Sequence, residues 1–211
     1  MTEALSATTF MIGARLPWAA GSVAPAETGP LDSAAVHHAG SRKACAIRKI
    51  SSVGATLSGD VAGAPGDALT VELETGQRPA ATIDWIEAGE IGISFKSAID
   101  VIALINRKLV SQAADRRAMP RVELRCAAWI KKGQDFGPAF IRNISAAGLQ
   151  LEGDDLPAVG SYVSLFVEGL NVPSGEVIWR KDGLAGIQLL EELSWSSIMP
   201  WIRELMRREP Q

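Results

Sequence analysis

The chain has 211 residues, 47% of them hydrophobic and 21% charged, with a formal net charge of −3. That length fits two domains of about 100 residues. A net acidic balance gives no general reason to expect nucleic acid or an acidic membrane as partner. The charge is unevenly spread, however. From Arg107 to Lys132 there are eight Lys/Arg against two acids, Asp115 and Glu123, so an anion site is expected there.

Residues 1–30 are rich in Ala, Ser, Thr, Gly and Pro, with Pro17, Pro25 and Pro30 interrupting any regular element. They are expected to form a flexible tail, with Phe10, Ile12 and Trp18 as candidates to dock on a module or partner. The acid Glu3 stands where a signal peptide would be basic, and no apolar run approaches the ~18 residues of a membrane span. A cytoplasmic protein is therefore expected. Cys45 and Cys126, one in each half, read as buried thiols in a reducing compartment.

Sliding the chain on itself by 94 residues reveals an internal repeat. Ile47 to Gly54 falls on Ile141 to Gly148, and without a gap Gly66 meets Gly160, Trp85 meets Trp179, and Gly92-Ile93 meets Gly186-Ile187. Ungapped agreement of Gly and Trp predicts one backbone built twice. Alternation and turn residues predict strands at 44–50, 55–57, 68–73, 81–86 and 91–95, and again at 139–144, 149–151, 162–167, 175–179 and 185–190. Short strands punctuated by glycine, without βαβ alternation, predict two small antiparallel β-barrels in tandem, an all-β-dominated fold. Each barrel is expected to be followed by a helix, the first over residues 97–114. The second is expected to begin at Pro200 or to be kinked there. The expected division is a tail (1–30), a first barrel (31–96), a connecting helix (97–114) and a second barrel with its helix (115–211).

At the junction lies the densest basic run, with Arg116, Arg117 and Arg121 around Pro120. Guanidinium groups offer rigid forks of donors that match phosphate oxygens or a guanine edge. Downstream, Asn143 and Ser145 supply short polar groups, and Gly148 permits either a positive-φ turn or close approach to the backbone. Other groups offer less. His37-His38 lacks further ligands for a metal and reads as exposed loop histidines, and Asp154-Asp155 and Glu191-Glu192 have no nucleophile or base beside them. No enzyme motif is present, and no catalysis is expected.

The pair RxxxR (Arg117, Arg121) and N-x-S-x-x-G (Asn143, Ser145, Gly148), in this order and spacing, resembles the PilZ domain, a small split β-barrel that binds cyclic di-GMP. The resemblance implies an arm that wraps the ligand. Arg117 and Arg121 would grip phosphates and guanine edges, and Arg116 would stack on or pair with a second guanine of an intercalated ligand dimer. Asn143, where Asp is commoner, would bind guanine more weakly. Ordering of the arm would move one module against the other. The first module has Lys49 in place of Asn143 and no RxxxR before it, so it is expected to be a degenerate copy that binds no nucleotide and serves as a contact or stabilising surface.

The expectation is thus a cyclic di-GMP receptor acting on an unidentified protein target, with no cofactor, no metal, no nucleic acid and no set oligomeric state. The alternatives are a protein-interaction scaffold without nucleotide binding and a nucleic-acid-binding barrel. The negative charge and an expected scarcity of exposed aromatics on the strands weigh against the last.

Overall fold

The computed structural model describes residues 8–21, 31–111 and 120–208. It divides into two compact units, residues 1–121 and 122–211. The first contains β1 (Thr9–Met11), β2 (Asp32–His38), β3 (Ser41–Ile50), β4 (Gly54–Ser58), β5 (Ala68–Leu73), β6 (Ala80–Glu87), β7 (Glu90–Phe95) and α1 (Val101–Ser111). The second contains most of β8 (Arg121–Lys132), then β9 (Asp135–Ile144), β10 (Gly148–Glu152), β11 (Tyr162–Val167), β12 (Gly175–Lys181), β13 (Leu184–Leu189) and α2 (Trp195–Arg208).

Each unit is a closed six-stranded antiparallel barrel. In the first, β2 pairs β3, β3 pairs β4, β4 pairs β7, β7 pairs β6, β6 pairs β5, and β5 returns to β2. In the second, the same circuit runs β8, β9, β10, β13, β12, β11 and back to β8. Closure leaves no free sheet edge among these strands. The first strand of each circuit, β2 and β8, was not among the expected strands. Its sequence in the second barrel is dominated by the basic run, which masks the alternation of Val122, Ala128 and Ile130 (inward) with Arg125, Trp129 and Lys131 (outward).

The 94-residue repeat holds at the level of single bonds. The register slips at Arg48 between β3 and β4 and at Arg142 between β9 and β10, and again between Ile83 and Trp85 and between Val177 and Trp179. These are β-bulges, which bend a strand and tighten its twist, as a small barrel requires. Two-residue hairpins Ala88-Gly89 and Asp182-Gly183 both take positive φ at both positions, the primed-turn geometry that follows the twist of the flanking strands. The inward set also matches: Ile47, Ile50, Leu57, Ile83 and Ile93 of the first barrel correspond to Ile141, Ile144, Leu151, Val177 and Ile187 of the second, all essentially buried. Each such side chain contributes about 1.5–3 kcal/mol on burial.

Residues 8–21, within the segment expected as a flexible tail, are part of the first unit. Thr9 and Phe10 pair in parallel with Lys49 and Ile50, and Phe10 and Met11 are buried. The Thr8 hydroxyl donates to the Ile47 carbonyl (2.7 Å) and accepts from the Asp32 amide (2.7 Å). Trp18 packs edge-on against Trp85, with ring centroids 5.8 Å apart. Apolar anchoring at Phe10, Met11 and Trp18 offsets the ordering cost that the surrounding polar composition suggested could not be met.

The helices start at other residues than expected. Among the described residues α1 starts at Val101, and α2 starts at Trp195, five residues before Pro200. Ser194 caps α2 through its carbonyl, which accepts from the amides of Ser197 and Ile198, and through its hydroxyl, which accepts from Ser196. Pro200 therefore lies in the second turn, where it forgoes one backbone bond. The helix buries Ile198, Met199, Trp201 and Ile202, and the Trp201 indole donates to the Glu168 carbonyl at 2.9 Å. In α1 the largely buried pair Lys108–Asp32 ties the helix to β2; burial raises the Asp32 carboxyl above its ordinary range while Lys108 pulls the other way. No described helix is long and apolar enough to cross a membrane.

Trp179 lies over Gly186, where a Cβ would sit 2.0 Å from the indole nitrogen, and Trp85 lies over Gly92 in the same way. Gly186→Ala is therefore expected to destabilise the protein by about 1–3 kcal/mol, as overpacking does. Chemical denaturation checks this: the loss should shrink to a few tenths of that size in a Trp179→Ala background, and equal losses in both backgrounds would contradict the packing account.

Candidate ligand-binding turn

The β9–β10 connection is built by its own sequence. The Ser145 amide donates to the Gly148 carbonyl at 2.9 Å, and the Ser145 hydroxyl donates to the same oxygen at 3.2 Å. Gly148 does not take positive φ; it is glycine because a Cβ there would lie 2.5 Å from the Ile187 carbonyl on β13. The first barrel repeats every element. Ser51 bonds the Gly54 carbonyl through both amide (2.9 Å) and hydroxyl (3.3 Å), and a Cβ at Gly54 would lie 2.6 Å from the Ile93 carbonyl. The serine and glycine thus close a turn that both barrels need. Asn143 is what distinguishes the second, since its counterpart is Lys49.

Asn143 pairs in register with Glu123 of β8 and with Gln150 of β10. It follows the bulge residue Arg142 and precedes the inward Ile144, so it belongs to the outer face of the barrel, yet it is only 4% exposed. Ser145 is also buried. Arg121 opens β8, one residue before Val122, whose register partner is Ile144. The strand therefore brings Arg121 to the end of the barrel that carries the Asn143–Gly148 turn. Arg121 is half-buried, and burial lowers its pKa below the ordinary arginine value while leaving it a cation. A partly desolvated guanidinium gains more from an anion than one in bulk water. Arg116 and Arg117 lie outside the described residues.

Glu123 is a buried acid two residues after Arg121 and directly opposite Asn143, so the three occupy one outer face by strand alternation. In the sequence Glu123 stands out only as one acid within the basic run. The signal that would have singled it out is its place at an outward strand position beside Asn143, visible only once β8 is recognised as a strand.

Several other expected features find different surroundings. His37 and His38 lie within β2, not in a loop. His37 Nε2 is 2.9 Å from Glu72, and His38 Nε2 is 3.4 Å from Asp67. Among the described residues no group of three or more His, Cys, Asp or Glu is arranged to hold a metal ion. Cys45 is buried, which raises its thiol pKa to about 11, and Cys126 is half-buried; both are free thiols. The expected scarcity of exposed aromatics fails in the second barrel. Trp129, Phe136, Tyr162 and Phe166 are all exposed there. Tyr162 and Phe166 stand at the outward phase of β11, a strand legible from its inward Val163 and Leu165, whereas Trp129 on β8 and Phe136 at the start of β9 lie outside the expected strands.

No protein-family model matches the chain, and no curated protein does so either. Among solved structures, the chain is similar to the PlzA protein of Borreliella burgdorferi in complex with c-di-GMP, at 11% identity, covering 82% of this chain and 86% of that one, with a TM-score of 0.33. It is similar to the Bacillus subtilis inhibitor of motility MotI/DgrA at 15% identity, covering 87% and 100%, with a TM-score of 0.30. It is also similar to the K. pneumonia MrkH–c-di-GMP complex at 9% identity, covering 83% and 85%, with a TM-score of 0.29.

Because Ser51 and Ser145 make the same bonds, Ser51→Ala and Ser145→Ala are each expected to cost about 0.5–1.5 kcal/mol in thermal or chemical unfolding. A cost at Ser51 and none at Ser145 would mean that the second serine is not a turn device.

Proposed function

We propose that the second barrel is the receptor for cyclic di-GMP and that binding is read out by a protein target, without catalysis. The observation that carries this reading is the joint placement of Arg121 and the Asn143–Gly148 turn at one end of one barrel. Beside it stands the RxxxR pattern of Arg117 and Arg121, at the spacing that the PilZ resemblance requires. In this reading Arg117 and Arg121 hold phosphates and guanine edges, and Arg116 engages a second guanine. Asn143 offers its amide to a guanine edge, and Ser145 and Gly148 keep the turn in shape. Asn143 is nearly sealed from solvent, so binding must uncover it. That supplies a conformational change coupled to the ligand, since a ligand shifts an equilibrium by its differential affinity for two states.

The first barrel keeps the turn but has Lys49 at the Asn143 position. A lysine has three donors and no acceptor, whereas a guanine edge presents N–H groups that need one. We therefore assign it no nucleotide.

Isothermal titration with cyclic di-GMP tests the assignment. Binding near two ligands per chain is expected for the wild type, reduced by about two orders of magnitude or more in Arg117→Ala, because a charge-assisted bidentate contact is lost. Asn143→Asp is expected to bind more tightly than wild type by several-fold, because the acceptor gains charge. Absence of heat and of any melting shift in the wild type would refute the receptor reading.

A further inference from the structure

On the second barrel the outward positions of β8, β9 and β11 form an aromatic surface. Trp129 and Phe136 are stacked, with centroids 5.1 Å apart and planes 5° apart, and Phe166 meets Phe136 edge-on at 5.6 Å. The three rings are 48%, 55% and 51% exposed, and Pro138, the register partner of Trp129, lies beside them. Three large exposed aromatics in contact exceed the scattered apolar residues of an ordinary surface.

The first barrel supplies an internal control. At the same registers it places Ala35, Arg42 and Glu72 where the second has Trp129, Phe136 and Phe166. There Glu72 is ringed by His37 (2.9 Å), Arg42 (3.3 Å) and Arg78 (2.9 Å), an ordinary ion-pair network. One backbone closes with either set of side chains, so the barrel does not need the aromatics. Holding them in water requires another reason.

Charge identifies the occupant. Arg125 and Lys131 are exposed at the two ends of the same strand face as Trp129, and neither has an ion-pair partner among the described residues. Arg125 lies over the Phe140 ring at 3.8 Å, which aligns its charge with the aromatic surface. Apart from Asp135 at the tip of the β8–β9 hairpin, no solvent-accessible position on these three strands is a carboxylate, in a chain whose net charge is −3. An apolar centre of Trp and Phe with cationic ends is the composition of a protein-binding hot spot. A single-stranded nucleic acid fits less well, because it needs a continuous cationic track and free ring faces, whereas Trp129 and Phe136 already face each other.

We propose that this face docks a linear segment of a partner protein in which an aromatic or proline anchor is flanked by Asp and Glu. The surface is separate from the nucleotide reading and stands whether or not cyclic di-GMP binds.

The test is selection of a random peptide library displayed on phage against the full-length chain, counter-selected on the triple variant Trp129→Ala, Phe136→Arg, Phe166→Glu. These substitutions install the first barrel's own residues, so the variant should keep its fold and its melting curve. Enriched peptides should carry acids around an aromatic or proline. They should bind the wild type at least about tenfold more tightly than the triple variant. Charge reversal with Arg125→Glu and Lys131→Glu should turn the selection toward basic peptides. The proposal is overturned if no peptide distinguishes wild type from the triple variant, or if the enriched peptides lack acids. Tighter binding of a single-stranded oligonucleotide than of any selected peptide at the same salt would overturn it too. Cyclic di-GMP titration of the triple variant, expected to match wild type, keeps the two functions apart.

Discussion

A sheet of only six strands must bend sharply to meet itself, and this chain makes that possible by bringing backbone against backbone where a side chain would ordinarily stand. Gly54 and Gly148 each lie where a Cβ would be about half an ångström inside the closest real contact with the carbonyl of the opposing strand. Gly92 and Gly186 each leave room for an indole, that of Trp85 and of Trp179. The register slips beside Trp85 and Trp179 supply the bend. These positions hold two barrels to one geometry, and everything else about the surface is free to diverge.

That freedom explains how the two halves differ in chemistry while agreeing in backbone. At the β3–β4 turn the first barrel has Lys49 and the second, at β9–β10, has Asn143, within identical Ser–Gly hydrogen bonding. On the outer sheet face the first has an ion-pair network about Glu72, and the second an aromatic cluster flanked by cations. A structural requirement common to both copies cannot account for a difference between them. The unlike residues are therefore where function is to be sought, at the turn for a ligand and on the aromatic face for a partner.

Much of the fold was legible because the repeat places Gly and Trp in step, and those are the residues with the strictest backbone demands. The meaning of particular residues was less legible. Gly148 had two readings, a left-handed turn or close approach, and the second holds with a neighbouring strand as the approaching group. β8 was hidden by its arginines, because a basic run obscures an alternation that only Val122, Ala128 and Ile130 complete. With β8 unread, neither Glu123 nor the outward Trp129 had a place. The segment before β2 reads as too polar to order, but residues 8–21 are held by Phe10, Met11 and Trp18 together with the Thr8 hydrogen bonds and the pairing of Thr9 and Phe10 with β3. Hydrophobic residues at wide and irregular spacing carry no period, so sequence pattern gives them little weight.

The central claim is that one of two matched turns binds the ligand and the other only folds. Hydrogen exchange followed by mass spectrometry, with and without saturating cyclic di-GMP, measures both turns in one molecule. The account predicts slower exchange on ligand binding across residues 116–123 and 143–148, with residues 49–54 unchanged. Equal protection of both turns, or protection confined to residues 49–54, would contradict it.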